Sequence, residues 1–379
     1  MSRDGGAAGS VGTATAAAGA RGARAEVTEV ADAPAGDWDA RTVAPPGGHV
    51  LQGTAWAEHR RGQGWRPRFV TFSDGRVALL LTRLQPPLPG FLAYAPRGPI
   101  AGGDPARAVA ARAVALGEWV RRQGGTILAV DPELDADPAY DAALAAAGFR
   151  PTEEIQPSRH RMVLQLPAGT TEESLLAGMA KGTRQRIRKA EEGGTLVREN
   201  GAGERLAEFG TLLDATAERR HFTFAAESGF VDWWRRALGA GVAVFLVAEH
   251  GDRLLGGLVA YRQGGHLATA FSADDAGTRR EHPGTMHLLR WSIIRRALAE
   301  GLPAIDLGGV DLPGHRERPA EGDPGWGLYE HKASFGAEWV ESAAAHELIA
   351  RPWLYRTGLL LRGARRSARR LVGAARRGR

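Results

Sequence analysis

Three lysines stand in a chain of 379 residues in which Lys and Arg together number 49: Lys181, Lys189 and Lys332. So strong a bias toward Arg, with abundant Ala and Gly, fits a GC-rich genome in which exposed Lys drifts to Arg. Lysine resists that drift where a compact, rotatable and titratable ammonium does chemistry that a planar guanidinium cannot. Chance survival would leave the same three residues. Lys181 and Lys189 share one basic segment, and Lys332 lies in YEHKASFG.

The basic segment is TTEESLLAGMAKGTRQRIRKAEEGG, residues 170–194. Thr170 followed by Glu173 reads as a capping box, apolar residues recur at helical spacing, and paired glycines end the run. One helix is expected, with Lys181, Arg184 and Arg188 on one face and Arg186 and Lys189 beside them. A row of cations without internal acidic partners suits a phosphate backbone, although a solvated helix face has the same composition. Other chemistries are limited by composition. Without cysteine there is no disulfide, thiolate nucleophile or Cys-ligated metal. The histidines lack HExxH or HxH spacing, so no metal site is expected.

The elements that must hold these residues alternate in type. A helix near Ala55–Gly62 leads to strands at Arg68–Phe72 and Val77–Leu84, then helix Ala106–Arg122, strand Thr126–Val130 and helix Tyr140–Ala147. The order returns with a hairpin from Val242 to Arg262, strand His266–Phe271, helix Thr285–Glu300, strand Ala304–Leu307 and helix Tyr329–Phe335. WVRRQGGTILAVD and IIRRALAEGLPAID are the matching stretches of an internal duplication. The expected class is α/β (α+β), with domains at 37–165 and 166–340 and with 340–356 completing the first. Residues 1–36, rich in Ala and Gly, read as a disordered leader. Residues 357–379 read as a basic tail.

This repeated unit resembles the GNAT acyltransferase fold, which binds the CoA pyrophosphate at a glycine-rich helix start. The equivalent stretches here, RREHPGTM and AGGDPARA, lack that glycine spacing. The row K-x-x-R-x-x-I-R-K-A-E-x-x-G resembles the Fem-type family of non-ribosomal peptidyltransferases, which build peptidoglycan interpeptide bridges. LQGTAWAEHR, LPGFLAYAPRGPI, LAVDP, EIQPSRHRMVLQL, AIDLGG and GLYEHKASFGAEWVE resemble its other blocks, in order, between Leu51 and Glu341. The family's long helical arm has no counterpart.

The resemblance implies transfer of an amino acid from aminoacyl-tRNA, a co-substrate rather than a cofactor, to the stem-peptide amine of lipid II or its UDP-linked muramyl pentapeptide precursor. It implies no metal or other cofactor. Lys332 falls where the family has a lysine implicated in oxyanion stabilisation or tRNA contact; its bland alternative is a surface lysine paired with Glu330 or Glu338. Asp131 falls on a proposed general base, or else caps a turn before Pro132. Arg60 replaces a phosphate-binding lysine, or is a helix-surface charge. Arg219, Arg220, Arg235 and Arg236 compete for a second phosphate arginine, with Arg220 and Arg235 preferred. Lys181, Arg184, Arg188 and Lys189 become tRNA contacts. A CoA-dependent N-acyltransferase and a non-catalytic RNA- or lipid-binding protein are the alternatives. The loop from Asp311 to Trp326 is either a lid or an inert insertion.

The net charge of +6 is smaller than the ten arginines gathered, without one acid, from Arg351 onward, so the body is net acidic. Leucines interleave with that tail as in a basic amphipathic helix, suited to an anionic membrane or RNA, although a solvated terminus is equally possible. No run approaches the roughly 20 apolar residues of a membrane span. A cytoplasmic protein touching the inner membrane face is expected.

Overall fold

The computed structural model describes residues 24–219 and 229–360. Its first strand corrects the expected leader. β1 (Val27–Ala31) pairs antiparallel with β2 (Arg66–Phe72), so order begins at least from residue 24. Residues 1–23 lie outside the described residues. The strand was hidden because VTEVA is short and half exposed, with too little apolar alternation to stand out from an Ala- and Gly-rich start.

The first unit continues with α1 (Trp38–Thr42), α2 (Thr54–Gly62), β2, β3 (Val77–Leu84), β4 (Phe91–Ala95), α3 (Ala106–Arg122), β5 (Ile127–Val130), α4 (Pro138–Ala146) and β6 (Arg150–Pro151). Between the units come β7 (Arg161–Gln165), α5 (Glu172–Gly178), α6 (Lys181–Glu192), β8 (Leu196–Glu199), α7 (Leu206–Arg219) and α8 (Phe230–Gly239). The second unit has β9 (Ala243–His250), β10 (Arg253–Gln263), β11 (His266–Asp274), α9 (Thr285–Ala299), β12 (Ala304–Asp306), α10 (Trp326–Ala333), β13 (Glu338–Val340) and β14 (His346–Ile349). Among the described residues the longest helix, α3, has 17 residues, and no helix is long and apolar enough to cross a membrane.

Each sheet has seven strands. The first runs β1-β2-β3-β4-β5-β14-β6 and the second β13-β7-β12-β11-β10-β9-β8. Each has one parallel pair, β4 with β5 and β11 with β12. The sheets exchange strands reciprocally. β7 follows the first unit but lies between β12 and β13 of the second sheet. β14 follows the second unit but lies between β5 and β6 of the first. The chain therefore changes sheet between Pro151 and Arg161, not at 165, because β7 finds its ladder partners in the second half.

The two crossing segments run side by side. The Thr152 N–H donates to the Ala345 carbonyl (2.9 Å), the Ala345 N–H to Glu154 Oε1 (3.1 Å), and the Ser342 N–H to His160 Nδ1 (3.0 Å). A shared apolar core also joins the units. Trp38, Trp56 and Leu79 from the first cluster with Phe209, Trp233 and Phe245 from the second half. Trp56 and Trp233 meet edge to face at 4.8 Å, and Trp233 Nε1–H donates to the Tyr261 hydroxyl (2.7 Å). Gly257 is required here because a Cβ would stand 2.6 Å from the Phe209 ring.

The expected single helix over 170–194 is two. α5 ends at Gly178, and α6 restarts at Lys181 after Met179 and Ala180 leave helical backbone angles. The cap differs as well: Thr171 and Ser174, rather than Thr170 and Glu173, form the capping box. We predict that Trp233→Ala, which empties the centre of the shared core, costs about 3–5 kcal/mol. Urea denaturation should show that loss in one cooperative transition monitored from both units, and two separated transitions would contradict a common core.

Candidate active site at the interdomain seam

β11 and β12 run parallel over only two residue pairs, Leu267 with Ile305 and Ala268 with Asp306. Beyond them the ladder stops, and the turn Leu307-Gly308-Gly309 continues against β11, where a Cβ at Gly308 would stand 2.6 Å from the Thr269 carbonyl oxygen. Lys332 reaches this turn from α10. Its Nζ donates to the carbonyls of Gly308 and Gly309, 2.8 Å each. The residue is 5% exposed, which overturns the surface alternative pairing it with Glu330 or Glu338. An ammonium has three N–H groups, so one remains to donate.

Arg290, on α9, is 1% exposed and donates to the Leu307 carbonyl (3.2 Å) and to His331 Nε2 (3.2 Å). Arg290 and Lys332 thus grip three consecutive carbonyls from two sides. Among the described residues, neither cation has a carboxylate at ion-pair distance. The acids that act on them are Asp306, which accepts the Gly308 N–H (2.7 Å), and Asp311. Asp311 is itself engaged by Arg316 (2.7 Å) and by the amides of Arg159 (2.9 Å) and His160 (3.1 Å).

Burial, and then the neighbouring Arg290, push the Lys332 pKa well below its ordinary value. Burial lowers Arg290 to about 10. His331 falls to about 2 and His287, 4.5 Å from it ring to ring, to about 4, through burial and the nearby arginines. Both imidazoles are therefore neutral at pH 7, and His331, accepting at Nε2, carries its proton on Nδ1. The arrangement is a desolvated cationic cluster that favours negative charge arriving or developing there.

α6 is joined to this cluster. Its start bonds to the end of α10 through Thr183 Oγ1–H to Ser334 Oγ (2.7 Å) and Ala180 N–H to the Ser334 carbonyl (3.0 Å). Lys181, Arg188 and Lys189 are exposed along it. Arg184 differs: it is half-buried, and its Nη1 donates to the carbonyls of Leu176 (3.1 Å), Ala177 (3.3 Å) and Met179. It caps α5, so the exposed row is Lys181, Arg188 and Lys189, with Arg186 reaching His287 (3.4 Å).

The helix starts that would receive a CoA pyrophosphate are occupied by protein. A Cβ at Gly284, the N-cap of α9, would overlap the Arg186 carbonyl oxygen, so α6 lies across that end. At α3, Asp104 sits just before the helix and pairs with Arg76 (2.8 Å) and Arg112, putting a carboxylate where phosphate would go.

Asp131 directly follows β5 and is buried. Oδ2 accepts from the Tyr94 hydroxyl (2.8 Å) and Oδ1 from the Arg97 N–H (2.7 Å), so both oxygens are committed. Arg97 has φ 48, a left-handed conformation costly for a residue with Cβ, and the carboxylate holds it there. Burial raises Asp131 to about 6 against the opposing pull of Arg97 and Tyr94. The Arg97 guanidinium donates to the Ser158 carbonyl (2.6 Å), and Ser158 packs so closely on Gly309 that a Cβ there would overlap it. Asp131 and Lys332 thus lie on one seam, connected through Arg97, Ser158 and Gly309.

Arg60 lies elsewhere on the first unit. Its guanidinium sits 5.3 Å from the Trp56 ring and 5.2 Å from Trp65, and donates to Gln63 (2.8 Å). α2 packs on α8, which brings Arg236 into electrostatic range of His59. Arg235 is exposed and pairs with Asp232 one turn away (3.0 Å). Arg220 lies outside the described residues. The loop opening at Asp311 is pinned at its start: Arg316 bonds Asp311, Glu153 and the Pro157 carbonyl. Arg97, Arg290 and His331 escaped sequence reasoning. Among 46 arginines nothing local marks a buried one, although Arg97 stood inside the quoted YAPRGPI.

Among the described residues no group of three or more His, Cys, Asp or Glu is placed to hold a metal. Residues 36–142 match the FemAB family, and residues 177–326 match an acetyltransferase (GNAT) domain. The lipid II:glycine glycyltransferases of Staphylococcus aureus and of its strain USA300 are each 31% identical over 198 residues, 48% of this chain and 46% of theirs. The match thus spans about half the length of these relatives. The crystal structure of FemX superposes with a TM-score of 0.69 at 20% identity, covering 87% of this chain and 99% of that one, and a likeness at that identity speaks to fold. With a FemAB match in the first half, a GNAT match in the second and the Fem-type motifs in order, the chain is similar to the Fem-type (FemAB) family and has its tandem GNAT-like fold.

Proposed function

We propose that this protein transfers an amino acid from aminoacyl-tRNA to the stem-peptide amine of lipid II, or of its nucleotide-linked precursor, in interpeptide-bridge formation. The observation that carries the reading is the bonding of the basic helix α6 to the helix that bears Lys332. A polyanion lying along Lys181, Arg188 and Lys189 can present its activated end to the cationic cluster. The name of the S. aureus relatives supports lipid II as acceptor. The covered helix starts at Gly284 and Asp104 weigh against the CoA-dependent alternative.

In the reaction, the amine nitrogen bonds to the ester carbonyl carbon, the ester C–O bond breaks, and the proton lost by the amine ends on the released ribose hydroxyl. The ester is already activated, so the reaction requires no metal or other cofactor, only positioning and charge stabilisation. Lys332 supplies the latter with its third N–H, and the Gly308 and Gly309 carbonyls aim it. Asp131 acts by holding Arg97, which steadies the Ser158 segment against Gly309.

Incubation with a panel of charged tRNAs and lipid II should add the mass of one amino acid or more to the stem peptide. Lys332→Ala should lower turnover about 10²–10³-fold with little change in acceptor binding. No product with any tRNA would sink the proposal, and wild-type turnover in the variant would remove Lys332 from the site. Lys181→Ala with Arg188→Ala should weaken tRNA binding and flatten its salt dependence by roughly one to two log–log units. An unchanged slope would take α6 out of the tRNA interface.

Because the ionised Asp131 is the better acceptor for Tyr94 and Arg97, kcat/KM should rise with pH through about 6. Asp131→Asn should abolish that limb. Stability runs the other way. The raised folded-state pKa means the native state binds the proton more tightly, so this group's contribution falls as pH rises from about 4 to about 6.

A further inference from the structure

Seven large apolar side chains are prominently exposed among the described residues, and three of them share one short segment: Trp353 (63%), Leu359 and Leu360 (75%). They lie on a helical segment, 352–360, whose inner face is Leu354 and Gly358. Trp353, Arg356 and Leu360 follow the three- and four-residue spacing of its outer face. The loop between β3 and β4 touches the inner face: a Cβ at Gly358 would stand 3.5 Å from Leu88. Gln85 lines the same crevice as Leu354, Tyr355 and Gly358.

We propose that the outer face of segment 352–360 forms a docking surface for an anionic lipid bilayer. The apolar groups are matched with cations. Arg351 immediately precedes the segment, Arg356 belongs to it, and from Arg351 to the last residue the sequence holds ten arginines and no acid. Glu347, the carboxylate in the adjoining crevice, is neutralised by Arg150 (2.8 Å). A tryptophan and leucines flanked by arginine suit a bilayer interface, where the ring and aliphatic groups enter the headgroup–acyl boundary and the guanidinium groups meet lipid phosphate. A second copy of the chain is a poorer occupant, since two acid-free arginine faces repel. The surface does not depend on the acyl-transfer reading, although it would bring the site to a lipid-linked acceptor.

The test is co-sedimentation of the full chain with vesicles of phosphatidylcholine plus phosphatidylglycerol, and with phosphatidylcholine alone. Binding should require the anionic lipid and weaken with salt. Trp353→Ser with Leu360→Ser should reduce it about tenfold or more, as loss of buried apolar groups demands. These side chains are exposed, so thermal midpoints should be unchanged. An unbound wild type would overturn the proposal. So would full binding by the Trp353/Leu360 variant, or self-association that these substitutions abolish. Transfer to a soluble nucleotide-linked acceptor should be equal in wild type and variant, with only vesicle-borne lipid II used more slowly. If neither acceptor is used, the acyl-transfer reading fails while the vesicle result stands.

Discussion

The reciprocal exchange of β7 and β14 is the constraint on which the rest of the molecule depends. Each sheet has one strand inserted next to an edge strand, and each unit takes that strand from the chain leaving the other. The connections must then cross, and they cross where both sheets end. Thr152, Glu154 and His160 from one segment bond Ala345 and Ser342 from the other. Neither unit can complete its sheet without the other, so the seam between them is as fixed as a core.

That fixed seam is what a cationic cluster requires. Two buried cations with no ion-pair partner among the described residues are costly to hold, since desolvation disfavours the charged forms. The cost is borne because α9, α10 and the 307–309 turn are locked from several directions, with Asp311 and Arg316 tying the turn's continuation to the crossing segment. The carbonyls of Leu307, Gly308 and Gly309 replace water as acceptors for Arg290 and Lys332. Such preorganised donors stabilise developing charge without reorganising as the reaction proceeds.

Much of this architecture was legible locally. α3 and β3 begin and end where periodicity and turn residues indicated, because amphipathic spacing and glycine stops are properties of short windows. The duplication was visible in the paired strand–Asp motifs, in which Asp131 directly follows β5 and Asp306 ends β12. The break between α5 and α6 was not, because it depends on Ala180 bonding to Ser334, about 150 positions away. The same break turns Arg184 from a surface charge into a cap.

The chain's composition and ordered motifs were enough to indicate its class, the family it resembles and the interest of Lys332, because a rare residue in a recurring motif needs no partner to be noticed. Where Lys332 points, and that Arg290 and His331 surround it, depended on folding. Burial, charge proximity and strand order are set by residues far apart in sequence. Arg290 is 1% exposed while Arg235 is solvated, and no local pattern distinguishes one arginine from the other.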